Sequence, residues 1–337
     1  ATSAGFGWVK VHELNPRLMM ASLKGFNKGS RFANVKAFEP VAQSAGGAAS
    51  ATGWNEGDAN IPTQSAAALG DSNSGMHLTI AILAALLQRE HTGKGSYVYQ
   101  SMQDAVINLC RIKLRDQLML DNLGALPFYA VYPNYKWGKA IPRSENSEGG
   151  QVIGWTYKAK GWETDPNAYV YIVIQNKNKS WETIANTMGH PEWATDERFK
   201  DWEHRQLHKQ EIYPLIESYT KNYDKYELTK KLGEAGIPVG PVLDWHELEN
   251  DPDLNEDGTL VKINQGGNRG EFKTVGMPFT MSNYKPTYKR APDLGENNKE
   301  ILSSLGYDPE QIEELVAKGV ISKVEKPHNP RTKVIKD

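Results

Sequence analysis

Ala68-Leu69-Gly70-Asp71-Ser72-Asn73-Ser74-Gly75-Met76-His77 joins a loop of small residues to a long apolar-periodic run. Downstream, Leu78, Ala81, Ile82, Ala85 and Leu86 recur at helical spacing, so the run predicts a helix over 76–89. Thr92-Gly93-Lys94-Gly95 stops it. Upstream, residues 40–70 are rich in Gly, Ala and Ser, a composition that allows close backbone packing and tight turns. Asp71 stands at the junction and has two readings. Asp-Ser-Asn ahead of an apolar helix is a good capping sequence. An aspartate carboxylate is also a nucleophile, competent against an already activated acyl or phosphoryl group. The roles are compatible, because a helix N-terminus stabilises a carboxylate.

Around this junction the chain alternates helices and strands. Val9–Leu14 reads as a short helix ended at Asn15-Pro16, and Leu18–Leu23 as a buried strand. Tyr97-Val98-Tyr99 is strand-like, and 104–121 reads as one long helix. A polar stretch over 127–154 reads as a crossing between domains. Residues 152–159 and 168–174 then look like two strands, followed by aromatic-rich helical patterns. A second boundary lies near Gly236-Ile237-Pro238-Val239-Gly240-Pro241, 299–317 makes a helical end, and the tail 323–337 is expected to be loose.

A chain of 337 residues suggests about two domains. With 39% hydrophobic and 24% charged residues, the composition is that of a globular protein. A net charge of −2 gives no case for nucleic acid or an anionic membrane as main partner. One cysteine, Cys110, excludes an intrachain disulfide framework. With no apolar run of membrane length and no secretory signal at the start, the expected location is cytoplasmic. No metal is expected. His204 and His208 are four apart but lack a third ligand, so a solvated helix face is the better reading. Cys110 and the tryptophans read as packed residues. Gly93-Lys94-Gly95 lacks phosphate-loop spacing.

Many ordered segments together carry a stronger signal. They include Glu13-Leu14-Asn15-Pro16-Arg17, Asn34-Val35-Lys36-Ala37-Phe38-Glu39, Val41-Ala42-Gln43 with Gly46-Gly47-Ala48-Ala49, and Ala68-Leu69-Gly70-Asp71-Ser72-Asn73. Met102-Gln103-Asp104-Ala105-Val106, Arg111 with Lys113-Leu114-Arg115-Asp116-Gln117, Lys160-Gly161-Trp162-Glu163-Thr164-Asp165, Gly236-Ile237-Pro238 and Leu294-Gly295-Glu296 follow in order. In these segments the chain closely resembles the formyl-CoA transferases of the class III CoA-transferase family, up to about Ile321.

The resemblance implies an α/β fold: a discontinuous Rossmann-like CoA-binding large domain, 1–125 and 241–337, with linkers and a smaller α+β domain over 126–240. It implies an interlocked homodimer. It makes Asp71 the nucleophile, passing through a mixed anhydride and an aspartyl-CoA thioester, with formyl-CoA as donor, oxalate as acceptor and no separate cofactor. It places coenzyme A against Val35, Lys36, Ala37 and Phe38, where Phe38 replaces a tyrosine typical of close relatives. It assigns Gly149, Gly150 and Gln151 to a glycine loop that covers the site and supplies backbone donors to the oxyanion. That loop departs from the family pattern, and Glu145 and Glu148 place two carboxylates near the approach of an anionic acceptor. A transferase for another acid, an acyl-CoA racemase of the same fold, and a noncatalytic CoA-binding or assembly subunit are the alternatives. Roughly a hundred further residues, a length within one domain, precede the matching start in the family. The expectation is that 337 residues alone, with an unpaired sheet edge, do not make a stable, active enzyme.

Overall fold

A computed structural model of the protein describes residues 5–55, 57, 60–123, 140–147, 153–266 and 269–322. The chain divides into two compact units, Ala1–Val242 and Leu243–Asp337.

The first unit opens with helix α1 (Trp8–Leu14) and strand β1 (Met20–Lys24). A long irregular loop leads to α2 (Glu39–Ala45) and α3 (Ala48–Ala51), and then to α4 (Asp71–Thr92). Strand β2 (Tyr97–Ser101) returns parallel to β1, in register from Met20 opposite Tyr97 to Lys24 opposite Ser101. Parallel neighbours need such a crossover, and α4 supplies it. Gly93, left-handed at φ 71°, ends α4, and its N–H bonds back to the Arg89 carbonyl. β1 is more exposed than the sequence predicts, with Leu23 37% exposed. Among the described residues it pairs only with β2, so it lacks the two-sided cover of a central strand.

The single helix expected over 104–121 is two: α5 (Met102–Leu109) and α6 (Arg111–Leu123). Cys110 interrupts them at φ −84°, ψ 14°, although its N–H still reaches the Val106 carbonyl at 2.9 Å. Asn108 and Cys110 are weak helix formers, which is where the break falls. α5 closes a small core of Ala42, Ala48, Met102 and Val106, with Leu69 packed on it. Gly46 lies directly beneath Val106, where a Cβ has no room.

The rest of this unit is a three-stranded antiparallel sheet: β3 (Ile153–Lys158), β4 (Tyr169–Ile174) and β5 (Val239–Pro241), in the order β3-β4-β5. β4 alternates strictly, with Val170, Ile172 and Ile174 fully buried. Helices α7 (Asn178–Thr187), α8 (Trp202–Leu207), α9 (Lys209–Thr220) and α10 (Lys225–Glu234) accompany the sheet. Trp181, Ile184, Ile212, Ile216, Leu228 and Leu232 join its buried side chains in one core. The Trp181 indole N–H is satisfied by the Trp193 carbonyl at 2.9 Å. The expected strands at 152–159 and 168–174 are present.

The second unit holds α11 (Trp245–Asn250), α12 (Pro252–Glu256), an antiparallel pair β6 (Leu260–Asn264) and β7 (Glu271–Val275), α13 (Asn298–Ser304) and α14 (Pro309–Ala317). The expected helix over 299–317 is again two. Gly306 at φ 90° and Pro309 at the start of α14 break it, and Asp308 with Gln311 forms a capping box. The tail 323–337 lies outside the described residues.

Candidate active site around Asp71

α2 grips the segment that delivers Asp71. Gln43, 2% exposed, donates to Glu39 at 2.6 Å and to the Ser65 carbonyl at 3.0 Å, and accepts the Ser65 N–H at 2.9 Å. The other Glu39 oxygen accepts the Asp71 backbone N–H at 2.6 Å. Gly70 sits against Ala42 and Glu39, so only a residue without Cβ brings the chain this close. Inside α4, buried Asn73 donates to the Ala105 carbonyl at 2.8 Å, and the buried Ser74 hydroxyl bonds the Gly70 carbonyl.

The capping reading of Asp71 is not what the structure shows. The N-cap position is Gly70, which has no side chain to cap the helix, and Asp71 is the first helical residue. Its side chain is exposed, and among the described residues its carboxylate accepts no hydrogen bond. The residue types at this turn therefore serve placement: small residues let α2 approach, and Glu39 takes the first-turn N–H that a cap would otherwise satisfy. Glu39 is the residue that sequence reasoning missed as a site residue. Its spacing of four from Gln43 on one helix face was the available signal.

Val35, Lys36, Ala37 and Phe38 form the end of the loop entering α2. Phe38 is the N-cap residue of α2 and 77% exposed; Val35 is 51% exposed, and Lys36 is also exposed. Phe38 precedes Glu39 directly, so this segment and the Asp71 turn meet at the start of α2. Gly149, Gly150 and Gln151, like Glu148, lie outside the described residues. The stretch before them is anchored. Asn55 and Arg143 exchange hydrogen bonds at 2.9 Å, and Ser144 N–H reaches the Ala51 carbonyl at 2.9 Å. Glu145, at φ 51°, turns its carboxylate back to accept the Asn55 N–H at 3.1 Å. An open cavity of about 440 Å³ lies here, lined by Thr52, Trp54, Ile61, Thr63, Glu145 and Asn146. Burial pushes the Lys209 ammonium below its ordinary range, opposed by the Glu145 carboxylate. Burial pushes the Cys110 thiol up, the behaviour of a packed cysteine rather than a reactive one. His204 and His208 do not converge: they pair separately with Asp201 and Glu211, at 2.7 and 2.6 Å.

Residues 1–298 match the sequence profile described as CoA-transferase family III. The chain belongs to that family. It is 50% identical over 308 residues to a Shigella sonnei (strain Ss046) protein named formyl-CoA:oxalate CoA-transferase, covering 91% of this chain and 73% of that one. An Escherichia coli O139:H28 protein of the same name gives the same figures. Among solved structures, a CaiB/BaiF family protein from Brucella suis superposes with a TM-score of 0.66 at 23% identity, over 90% of this chain and 72% of that one. A hypothetical protein from Mycobacterium tuberculosis gives 0.65 at 20% identity, over 88% and 71%. The α/β family fold is thus the fold of this chain, and its relatives' names describe transferases. Among the described residues, no helix is long and apolar enough to cross a membrane.

Proposed function

We propose that this protein transfers coenzyme A from formyl-CoA to oxalate, with Asp71 as the acyl-accepting nucleophile. The observation that carries the reading is the exposed, uncapped Asp71 carboxylate, its backbone fixed by Glu39, in a chain half identical to curated formyl-CoA:oxalate CoA-transferases.

An Asp71 carboxylate oxygen attacks the formyl thioester carbon and expels the CoA thiolate, leaving a mixed anhydride. The thiolate attacks the aspartyl carbonyl and releases formate, giving an aspartyl-CoA thioester. An oxalate oxygen opens that thioester, and the thiolate then attacks the oxalyl carbonyl, forming oxalyl-CoA and restoring the carboxylate. Each step exchanges one acyl bond for another of similar reactivity, so no step carries the whole barrier. No cofactor beyond the CoA thioester substrate is required. Val35, Lys36, Ala37 and Phe38 receive coenzyme A, and Gly149, Gly150 and Gln151 cover the site. Glu145 opposes an incoming dianion less than its charge suggests, because its carboxylate is engaged by the Asn55 N–H and its charge is partly offset by the Lys209 ammonium. The working molecule in this reading is an interlocked homodimer, with 1–125 and 241–337 as one discontinuous large domain.

Incubation with formyl-CoA followed by hydroxylamine, read by peptide mass spectrometry, tests the assignment. The expected product is a hydroxamate at Asp71, absent from Asp71→Asn. A folded protein that binds coenzyme A but never acquires this mark contradicts the reading. A panel of carboxylic acids, each offered as acceptor, then shows whether oxalate is preferred.

A further inference from the structure

The loop over 25–38, which enters α2, holds no helix or strand, yet its two halves are held very differently. Its first half is fastened to β2 and α5. The Tyr99 hydroxyl donates to the Phe26 carbonyl at 2.7 Å, and the Gln103 N–H reaches the Gly25 carbonyl at 3.1 Å. Asn27 donates to Asp104 at 3.3 Å, and Phe26 is 4% exposed. Lys28 is an exposed residue, but its ammonium is not loose. It donates to the Tyr97 hydroxyl at 3.1 Å and lies 4.4 Å from the Tyr97 ring centre and 4.5 Å from that of Tyr99. Both distances are well inside the ~6 Å reach of a cation–π contact. Tyr97 and Tyr99 share one face of β2, two residues apart, so a single ammonium fits across both.

Among the described residues, the second half is fastened to other elements only at its end, where the Phe38 carbonyl accepts the Ala42 N–H of α2 at 3.1 Å; the Phe32 ring rests against Phe26 of the first half. Successive turns tie it to the first: Ser30 N–H to Asn27 O, Ala33 N–H to Ser30 O, and Val35 N–H to Phe32 O. Ala37 packs where a side chain on Gly25 would go, so the ends of the loop touch. The shape of 35–38 therefore depends on how firmly 25–28 is held.

We propose that Lys28, clamped by Tyr97 and Tyr99, is a positioning residue that latches this loop to β2 and so presents Val35–Phe38, already ordered, to coenzyme A. The inference rests on the functional reading above, since that reading names the ligand. Ordering the loop in advance removes an entropy cost from binding and leaves the chemical step at Asp71 untouched. Its signature is thus a change in affinity without a change in turnover.

Lys28→Met keeps the stem and removes the charge. Coenzyme A binding, measured by calorimetry on the purified protein, is expected to weaken about tenfold. Turnover at saturating formyl-CoA and the KM for oxalate should stay within about twofold of the wild type. Amide exchange over 26–38 should accelerate, while β3, β4 and β5 stay unchanged. Lys28→Arg, which keeps a cation over the rings, should restore binding to within about threefold. Tyr99→Phe, which keeps the ring and loses the bond to Phe26, should give an intermediate loss. Unchanged coenzyme A affinity in Lys28→Met overturns the proposal. Weakened affinity with unchanged exchange over 26–38 also overturns it, because Lys28 then touches the ligand directly instead of holding the loop. A wild type that binds no coenzyme A defeats the functional reading and the ligand named here with it.

Discussion

The β3-β4-β5 layer and the neighbourhood of α4 solve the problem of order in opposite ways. In the first, Val170, Ile172 and Ile174 point inward from one strand and meet Trp181, Ile212 and Leu228, all at 1% exposure or less. In the second, only Asn73, Ser74 and Ala85 of the whole 22-residue helix are buried. Met76, Ile80, Leu83 and Leu87 are each 60% exposed or more. Apolar burial is strong but non-directional, and it supplies stability. Hydrogen bonds such as those of Glu39 and Gln43 are individually weaker but fix direction, and they place Asp71. One region holds the unit together; the other aims a carboxylate.

The hardest test of this contrast is Trp181→Ala, expected to cost about 3–5 kcal/mol of stability in urea unfolding. A cost near that of a surface change would mean the aromatic core is not what holds the unit. On the α4 side, Glu39→Ala should act on function instead. Losing the acceptor for the Asp71 N–H is expected to slow turnover about thirtyfold, an effect of ~2 kcal/mol. Its stability cost should be only ~1 kcal/mol, typical of one hydrogen bond. Kinetics and unfolding measured on the same preparation separate the two. Leu83→Ala should change stability by no more than about 0.5 kcal/mol, as expected where a side chain is mostly in solvent. A larger loss shows that the helix face is covered in solution.

The smallest effect concerns acid. Arg198 foremost holds the Asp196 carboxylate below the ordinary range, and His208, then Arg198, does the same for Glu211. Because these folded-state values are depressed, the pairs stabilise fully above the ordinary carboxylate range, near about 4. That contribution is lost as pH falls further, through the depressed values. Arg198 and Glu211 are largely exposed and Asp196 partly so, and solvent screens the pairs, so Asp196→Asn should flatten the acid limb of stability only slightly.

The fold class was legible through the ordered family segments, while two periodicities, the 3.6-residue repeat behind Asp71 and the twofold alternation of β4, made individual elements legible. Periodicity failed at breaks. The apolar spacing over 104–121 continues across Cys110, so the weak helix propensity of Asn108 and Cys110 was the sole sequence mark of the break. Gly306 and Pro309 were visible breakers, overridden by an apolar pattern that spans both helices. At the site, Asp71 stood out from its neighbours and from the family segments around it. Its capping reading failed because a cap is decided by which backbone residue turns first, and Gly70 does. Glu39 stayed hidden because its partner is 32 positions away, and a backbone N–H leaves no residue signature. Gly149, Gly150 and Gln151 remain a proposal.

One peptide bond separates Phe38, which caps α2 facing solvent, from Glu39, which holds Asp71. A molecule seated on Phe38 is therefore adjacent in the chain to the residue that fixes the Asp71 backbone. In the proposed function the thioester's handle thus rests on Phe38, and the next residue holds the turn that carries Asp71, the proposed attacking group. If the proposed function holds, a short thioester without the coenzyme's distal portion should lose reaction rate as well as grip, because it leaves vacant the residue next to the one that holds Asp71.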